Sequence, residues 1–125
     1  MTTLDIPQSL STPGVSFDPA TRRLCITGES YPENSFEFYA PVTGWLQEYL
    51  TGQNELLLDI NVSYMNSSST KCMLDLLDLL EEAHSKGSGI SIDWRYDPEN
   101  PRSRDLAEEF QEEVTLPFSI IACEE

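Results

Sequence analysis

The 125-residue chain has few basic residues: 7 Lys and Arg stand against 22 Asp and Glu, which gives a net charge of −15. Binding to nucleic acid through counterion release needs clustered Lys and Arg side chains, whereas these are scattered along the chain. We therefore expect neither nucleic acid nor an anionic membrane as a partner. A protein with a basic docking surface fits better, because opposite electrostatic fields steer association.

The sequence also lacks most of the residue arrangements that catalytic and metal sites require. It holds 1 histidine, His84, so a Ser-His-Asp or Cys-His device would have to use that residue. His84 falls on the apolar side of a predicted helix near its C-terminus, where a structural role is expected. No glycine-rich phosphate loop is present, and the acidic groups lie on predicted outer helix faces without the spacing of a calcium loop. We expect no catalytic residue, no metal and no cofactor.

Long apolar runs and paired cysteines are missing as well. No segment approaches the roughly 20 apolar residues that span a bilayer, and residues 1–14 lack the basic start and apolar core of a secretory leader. The three cysteines, Cys25, Cys72 and Cys123, are widely spaced among apolar neighbours, which predicts buried, reduced thiols. The expectation is a cytoplasmic protein without membrane insertion.

What is present is an alternation of strand and helix patterns. A polar, flexible arm is expected at 1–12, followed by a β-hairpin and then α, β, α, β, α, β. The apolar runs at 55–65 and 90–94 are typical of strands buried on both faces. Helices are predicted at 34–50, with a break or kink near Tyr39 caused by Pro41, at 67–86 and within 99–114. This order predicts a single α/β domain over 1–125, with a mixed central sheet packed with helices.

Two stretches are candidates for a functional site, and the first is "SIDWRYD". It places Asp93, Arg95 and Asp97 at alternate positions of a strand and its exit. Such a group could form the small polar site of an enzyme or of a ligand-binding domain. An Asp–Arg pair at a strand end can equally be structural, and both interpretations stay open on the residues alone.

The second candidate is "YMNSSSTKC", where an apolar strand gives way to a strong helix. Asn66 is suited to cap this helix, and Ser67 then occupies the first helical position, at the carboxyl end of a predicted parallel strand. A phosphate on Ser67 would meet backbone donors and a favourable helix dipole. Plain capping by hydroxyl side chains is the competing interpretation.

A strand followed by Asn-Ser-Ser at the N-terminus of an apolar helix resembles the phosphorylation site of STAS-domain anti-sigma-factor antagonists. The wider sequence is similar to the SiaC family of bacterial regulatory phosphoproteins. The similarity is carried by four stretches that together span nearly the whole chain beyond residue 10: "ITGESYPENSFEFYAPVTGWLQEYL", "LDINVSYMNSSSTKCMLDLLDLLEEAHSKG", "ISIDWRYD" and "AEEFQEEVTLPFSI".

The resemblance implies a STAS-like domain that acts as a partner-switching phosphoprotein. In such families a cognate Ser/Thr protein kinase phosphorylates the junction residue, and a PP2C-type phosphatase removes the phosphate. In the SiaC type, the unphosphorylated protein binds and activates a diguanylate cyclase, which raises cyclic di-GMP and favours aggregation or biofilm growth. The position directly after Asn66 makes Ser67 the implied phosphoacceptor, with Ser68 as the alternative.

On this hypothesis one surface around the junction contacts the partner, although Tyr64 and Met65 could instead pack in the core. The expected contact residues are Tyr64, Met65, Asn66, Ser67, Ser68 and Lys71. The rival functions predict different surfaces. A small enzyme using Asp93, Arg95 or Asp97 requires a concave pocket around those side chains, and a passive ligand-binding domain requires a pocket without any phosphate.

Overall fold

The computed structural model describes residues 4–52 and 55–123, and within these ranges six strands alternate with three helices. In chain order the strands are β1 Asp5–Ile6, β2 Gly14–Asp18, β3 Arg23–Ser30, β4 Leu56–Met65, β5 Ile90–Tyr96 and β6 Phe118–Ala122. The helices are α1 Ser35–Leu50, α2 Ser67–Ser85 and α3 Pro101–Gln111.

The sheet is mixed and its strands lie in sequence order, β1-β2-β3-β4-β5-β6. The β1–β2 and β2–β3 pairs are antiparallel, and the pairs from β3 to β6 are parallel. Each helix connects two neighbouring parallel strands, and every connection advances in the same direction. Right-handed crossovers therefore place all three helices on one face of the sheet. The predicted α/β class with a mixed central sheet is confirmed.

Burial alternates along β4 rather than being continuous. Leu58 and Ile60 are 0% exposed under the helices, whereas Leu57 and Asn61 on the other face are partly exposed. Asp59 also points to that second face but is only 8% exposed, because arginine side chains lie against it. The prediction that the strands are buried on both faces is wrong: with every crossover on the same side, one sheet face stays open.

Helix α2 presents the apolar stripe that its sequence predicts. Met73, Leu76, Leu77 and Leu80 are 0% exposed and join the core between α1 and the sheet. His84 continues this stripe as a half-buried residue, in agreement with its predicted position on the apolar side. The stripe fixes the rotation of α2, and hence which residues of its first turn face solvent.

Helix α1 continues through Pro41, so the part of the prediction that placed a break near Tyr39 is wrong. Pro41 is exposed, and the carbonyl of Glu37 that it cannot bond faces the solvent side of the helix. Tyr39 and Val42, on either side, are 1% and 0% exposed, and this burial holds both halves of the helix against the core. Tertiary packing therefore outweighs the loss of one backbone hydrogen bond.

Part of the predicted N-terminal arm takes part in the sheet. Strand β1 pairs with β2, and Leu4 is 8% exposed within the core. Further along, Gln8 lies against Gly28, where a Cβ would come within 2.9 Å of its side chain and φ is +127°. Leu10, by contrast, is 91% exposed. Residues 1–3 lie outside the described part of the chain.

All three cysteines are free, as predicted, but only Cys72 is buried. Cys25 and Cys123 are partly exposed, which corrects the expectation that all three thiols are buried. Burial raises the pKa of the Cys25 and Cys72 thiols above the ordinary value of 9.0. Within the described ranges, no helix is long and apolar enough to cross a bilayer.

Candidate functional site

The β4–α2 junction, residues 64–71, is organised by Asn66. Its side-chain oxygen accepts the Ser69 N–H at 2.9 Å and the Ser68 hydroxyl at 3.2 Å, which caps α2 as predicted. Its side-chain amide donates to the Pro32 carbonyl at 3.4 Å, and its backbone N–H donates to the Ser30 carbonyl at 2.9 Å. Asn66 thereby ties the start of α2 to the end of β3 and to the loop that follows.

The three consecutive serines of the junction have different environments. Ser67 is exposed, and its hydroxyl has no hydrogen-bond partner among the residues that the structure describes. Ser68 is half-buried, and its hydroxyl lies 2.8 Å from that of Ser35. Ser69 is 0% exposed. Exposure therefore decreases from Ser67 through Ser68 to Ser69.

A buried hydroxyl network lies directly behind Ser67. The Ser69 hydroxyl bonds with that of Ser30 at 2.8 Å and with that of Ser35 at 3.0 Å, and Ser30 bonds with Tyr39 at 2.6 Å. These four residues are at most 1% exposed. Burial raises the pKa of Tyr39, while its hydrogen bonds with Ser30 and Ser69 act in the opposite direction. The network joins β3, α1 and α2, and fixes the backbone that carries Ser67.

Sequence reasoning missed Ser30, Ser35 and Tyr39 as parts of this site. The only available signal was the pair of serines that flank "YPEN", since Ser30 ends β3 and Ser35 begins α1. Nothing in the local spacing indicates that both hydroxyls meet a serine more than thirty residues away.

Exposed aromatic side chains surround the junction and form what we call the aromatic surface: Tyr31, Phe36 and Tyr64. They are 41%, 53% and 52% exposed, and the rings of Tyr31 and Tyr64 pack edge to face with centroids 5.9 Å apart. Lys71 is exposed, and its Nζ lies 5.8 Å from the centroid of the Phe36 ring. Exposed rings clustered beside a polar centre are typical of a protein-binding surface.

The predicted contact residues divide between this surface and the core. Tyr64, Ser67 and Lys71 are exposed, while Asn66 and Ser68 are half-buried at its centre. Met65, the remaining member of the predicted set, is 9% exposed and packs in the hydrophobic core. Neighbouring strand residues point to opposite faces. A register shift between β3 and β4 at Gly28/Glu29 reverses the alternation of β4, so that Met65 and not Tyr64 faces the core.

The rival polar group extends from Asp93 within β5 to the β5–α3 junction, residues 95–103, and is differently arranged. Arg95 donates through Nε to Asp59 at 3.0 Å, and this hydrogen bond and charge raise the pKa of the guanidinium. Asp93 stands beside Asp59 in the parallel register. Asp97 has left the strand, and its side chain accepts the Glu99 N–H at 2.9 Å in a local turn. Arg95 and Asp97 therefore make separate structural contacts and do not share one site.

The described residues hold no cluster suited to a metal ion, and a groove between two helices lies away from the predicted groups. No cluster of three or more His, Cys, Asp or Glu side chains in residues 4–52 and 55–123 could hold a metal ion. A shallow groove lies between the C-terminal halves of α1 and α2, far along α2 from Ser67. It is lined by Gln47, Leu50, Thr51, Leu79, Glu82, Ala83 and Lys86. None of the sequence-predicted site residues lines this groove.

With this geometry established, comparison with known proteins gives a consistent result. The family model described as "SiaC family regulatory phosphoprotein" matches residues 6–123. The chain belongs to the SiaC family. The resemblance proposed from the sequence is therefore confirmed, and the chain is a regulatory protein of this family.

The relatives match over almost their full length. An uncharacterised protein of Pseudomonas aeruginosa strain UCBPP-PA14 is 47% identical over 126 residues, which cover 100% of both chains. The structure of apo-SiaC from Pseudomonas aeruginosa superposes with a TM-score of 0.92 at 46% identity, covering 98% of this chain and 100% of that one. A chain in the structure of the diguanylate cyclase SiaD in complex with its activator SiaC, from the same species, gives 0.91 at 47% identity over 96% and 99% of the two chains.

Proposed function

We propose that this protein is a partner-switching phosphoprotein whose phosphoacceptor is Ser67 and whose partner is a diguanylate cyclase. A cognate Ser/Thr protein kinase adds the phosphate, and a PP2C-type phosphatase removes it. In the cytoplasm, the unphosphorylated form binds and activates the cyclase, which raises cyclic di-GMP and favours aggregation or biofilm growth. The observation that carries the proposal is the exposed, unbonded Ser67 hydroxyl in front of a buried network and beside an exposed aromatic surface.

The modification itself needs only an accessible hydroxyl. The kinase transfers the γ-phosphoryl group of a nucleoside triphosphate to the Ser67 oxygen, the hydroxyl proton leaves, and the nucleoside diphosphate departs. The phosphatase adds water across the P–O bond and returns serine and inorganic phosphate. Ser68 meets this requirement less well, because its hydroxyl bonds with Asn66 and Ser35. Ser69 is 0% exposed and does not meet it.

The switch is expected to act on the interface and not on the fold. A phosphate at a helix start gains only about 0.3–1 kcal/mol from the helix dipole, which is too little to rearrange a packed domain. Burying about two negative charges against apolar groups of a partner, in contrast, costs several kcal/mol unless a cation is supplied. Since about 1.4 kcal/mol changes affinity tenfold, the interface effect dominates.

The docking face is the aromatic surface with Ser67 near its centre. Large rings that are half exposed gain most from burial in a partner, and such residues dominate measured interface energies. The protein's excess of acidic groups favours a partner with a basic rim. The complex between the related SiaC and the cyclase SiaD supports a cyclase as this partner.

The test is binding of the cognate full-length cyclase to the unmodified protein and to protein carrying phosphoserine at position 67. Calorimetry should show at least an about 100-fold loss of affinity on phosphorylation, equivalent to about 2.8 kcal/mol. Incubation with the cognate kinase should label wild type and Ser68→Ala but leave Ser67→Ala unlabelled.

Ser67→Ala should still bind and activate the cyclase as well as wild type, since it removes only a hydroxyl without a described partner. Equal affinity of the phosphorylated and unmodified forms would remove the switch. Kinase labelling of Ser67→Ala at full level would move the acceptor to another residue.

A further inference from the structure

Basic side chains are scarce in this protein, and most of them are committed to carboxylates. Five of the 7 Lys and Arg residues lie within ion-pair distance of an acidic group. They are Arg22, Arg23, Lys86, Arg95 and Arg104. A basic residue that stays uncommitted in a chain of net charge −15 is therefore unusual and calls for a physical reason.

Lys71 and Arg102 are the two basic residues without an ion pair in the described part of the chain, and Lys71 is the one beside the candidate site. Its ammonium has no carboxylate within 4.0 Å in the described part of the chain and lies instead over the Phe36 ring, 5.8 Å from the centroid. Asp75, one turn further along α2, is exposed and does not reach it. A contact between an exposed cation and an aromatic ring is weak, so the ammonium can change partner at little cost.

The position of Lys71 relative to Ser67 supplies the reason. The two residues are four apart in α2, both are exposed, and side chains at this spacing share one face of a helix with Cβ atoms roughly 5–6 Å apart. Among the described residues, the backbone N–H groups of Ser67 and Ser68 also have no acceptor. A phosphate on Ser67 would therefore meet two unused donors and one uncommitted cation.

We propose that Lys71 is the internal counter-ion of phosphorylated Ser67, and that its ammonium moves from the Phe36 ring to the phosphate when Ser67 is modified. This inference rests on the proposed function, since it concerns the same phosphoserine. One modification then changes the docking face twice: a phosphate appears at its centre, and the cation over Phe36 is withdrawn. The carboxylates elsewhere on the surface need not move.

The test uses full-length protein with phosphoserine installed at position 67 by genetic code expansion, so that no kinase is needed. Phosphorus NMR titration reports the second pKa of the phosphate, which is ordinarily about 6. We expect this pKa to be higher in Lys71→Met than in wild type by ~0.3 unit, the equivalent of one helical ion pair. Lys71→Arg should restore most of the wild-type value.

Lys86→Met is the matched control, because it also removes one lysine, from the C-terminal cap of α2 about 22 Å further along the helix axis. Its phosphate should titrate as in wild type. In the same samples, the ε-methylene protons of Lys71 should lose the ring-current shift of Phe36 once Ser67 carries a phosphate.

Identical titration of wild type and Lys71→Met, or a ring-current shift that survives phosphorylation, would overturn the inference. Either result would leave the proposed function intact, because that depends on cyclase binding. Conversely, a phosphorylated protein that still binds the cyclase would refute the proposed function whatever the titration of the phosphate shows.

Discussion

Two of the three junctions between strand and helix in the parallel part of the sheet are built from similar parts. The β4–α2 and β5–α3 junctions lie at the carboxyl ends of neighbouring strands. Each places a buried serine at the third helical position, Ser69 and Ser103, which are 0% and 1% exposed. Each also holds a cation 5.8 Å from an aromatic ring centroid, Lys71 over Phe36 and Arg104 over Tyr96.

What differs is where the hydrogen bonds go. The Ser69 hydroxyl reaches side chains on β3 and α1, which are 39 and 34 residues away in sequence. The Ser103 hydroxyl bonds with the Asn100 carbonyl and the Asp97 N–H, which are 3 and 6 residues away. The first helical position holds Ser67 in one junction and Pro101 in the other. At the β4–α2 junction, side chains of β3 and α1 hold the buried serine by hydrogen bonds, and Ser67 exposes its hydroxyl. At the β5–α3 junction, the buried serine bonds with backbone groups of the same junction.

The largest expected difference between the junctions is in cyclase binding. Tyr64→Ala removes a 52% exposed ring of the aromatic surface, while Tyr96→Ala removes the half-buried ring at the end of the next strand. We expect an about 30-fold loss of affinity for Tyr64→Ala, as is usual for a central interface tyrosine, and less than about 2-fold for Tyr96→Ala. Calorimetry with the full-length cyclase measures both, and comparable losses would show that the docking face is wrongly placed.

Stability should differ next. Ser69→Ala leaves the buried hydroxyls of Ser30 and Ser35 each one partner short, which should lower the free energy of unfolding by about 2 kcal/mol. Ser103→Ala frees backbone groups at the edge of a surface turn, where water can replace the lost hydroxyl, and should cost about 1 kcal/mol or less. Urea unfolding with unchanged m-values gives both numbers. A larger loss of unfolding free energy for Ser103→Ala than for Ser69→Ala would contradict this difference between the β4–α2 and β5–α3 junctions.

The sequence predicts the first junction well because its signals are local. Asn66 before a run of serines marks a cap, and the apolar spacing of α2 fixes which side of the helix is buried. The exposure of Ser67 follows from the same helical periodicity, since it falls on the opposite side of α2 from the buried Leu76. Helix phase therefore carries information on the site as well as on the fold.

The hydroxyl network and the open sheet face could not be predicted in this way. Ser30 and Ser35 meet Ser69 only because β3 and α1 pack beside α2, a relation that local periodicity does not encode. The apolar sequence of β4 suggested burial on both faces, yet which faces are covered depends on the direction of the crossovers. Both failures concern contacts that the topology decides.

Glu81 links α2 to the segment that follows α3, and so connects the helices of the two junctions. Its carboxylate accepts the Thr115 N–H at 2.9 Å, the Thr115 hydroxyl at 2.8 Å and the Leu116 N–H at 3.1 Å. These bonds, led by the Thr115 N–H, lower the pKa of Glu81 below its ordinary value of 4.5. Glu81→Gln should therefore lower the unfolding free energy by about 1.5 kcal/mol near neutral pH.

The direction of the pKa shift of Glu81 determines how the stability difference between wild type and Glu81→Gln changes with pH. Because the folded pKa lies below the unfolded one, the ionised carboxylate stabilises the fold above pH 4.5, and its contribution is lost as the pH falls through the folded pKa. The stability difference between wild type and Glu81→Gln should thus shrink in acid. Urea unfolding between about pH 7 and pH 3.5 measures it. A difference that stays constant over that range would mean that the carboxylate charge is not what holds the segment.

The smallest expected effect is that of removing Arg95 from the β5–α3 junction. It decides whether the polar group of β5 is structural or functional. Arg95→Met removes the Nε–Asp59 ion pair of 3.0 Å, but Arg23 still holds the same carboxylate at 3.2 Å. The unfolding free energy should therefore fall by only about 1 kcal/mol, and cyclase affinity should stay within about 2-fold of wild type. Arg104→Met, which removes an exposed pair with Glu108, is the matched control and should cost about 0.3 kcal/mol.

Measuring both the unfolding free energy and cyclase activation distinguishes a structural role of Arg95 from a functional one. If Arg95→Met abolished cyclase activation while its unfolding curve stayed at wild type, the polar group on β5 would be part of the site after all. Removing Arg23 as well should leave Asp59, which is 8% exposed, without either cation, and should lower stability by more than the two single losses together. That excess is expected only if the role of the two arginines is to neutralise a carboxylate on the open sheet face.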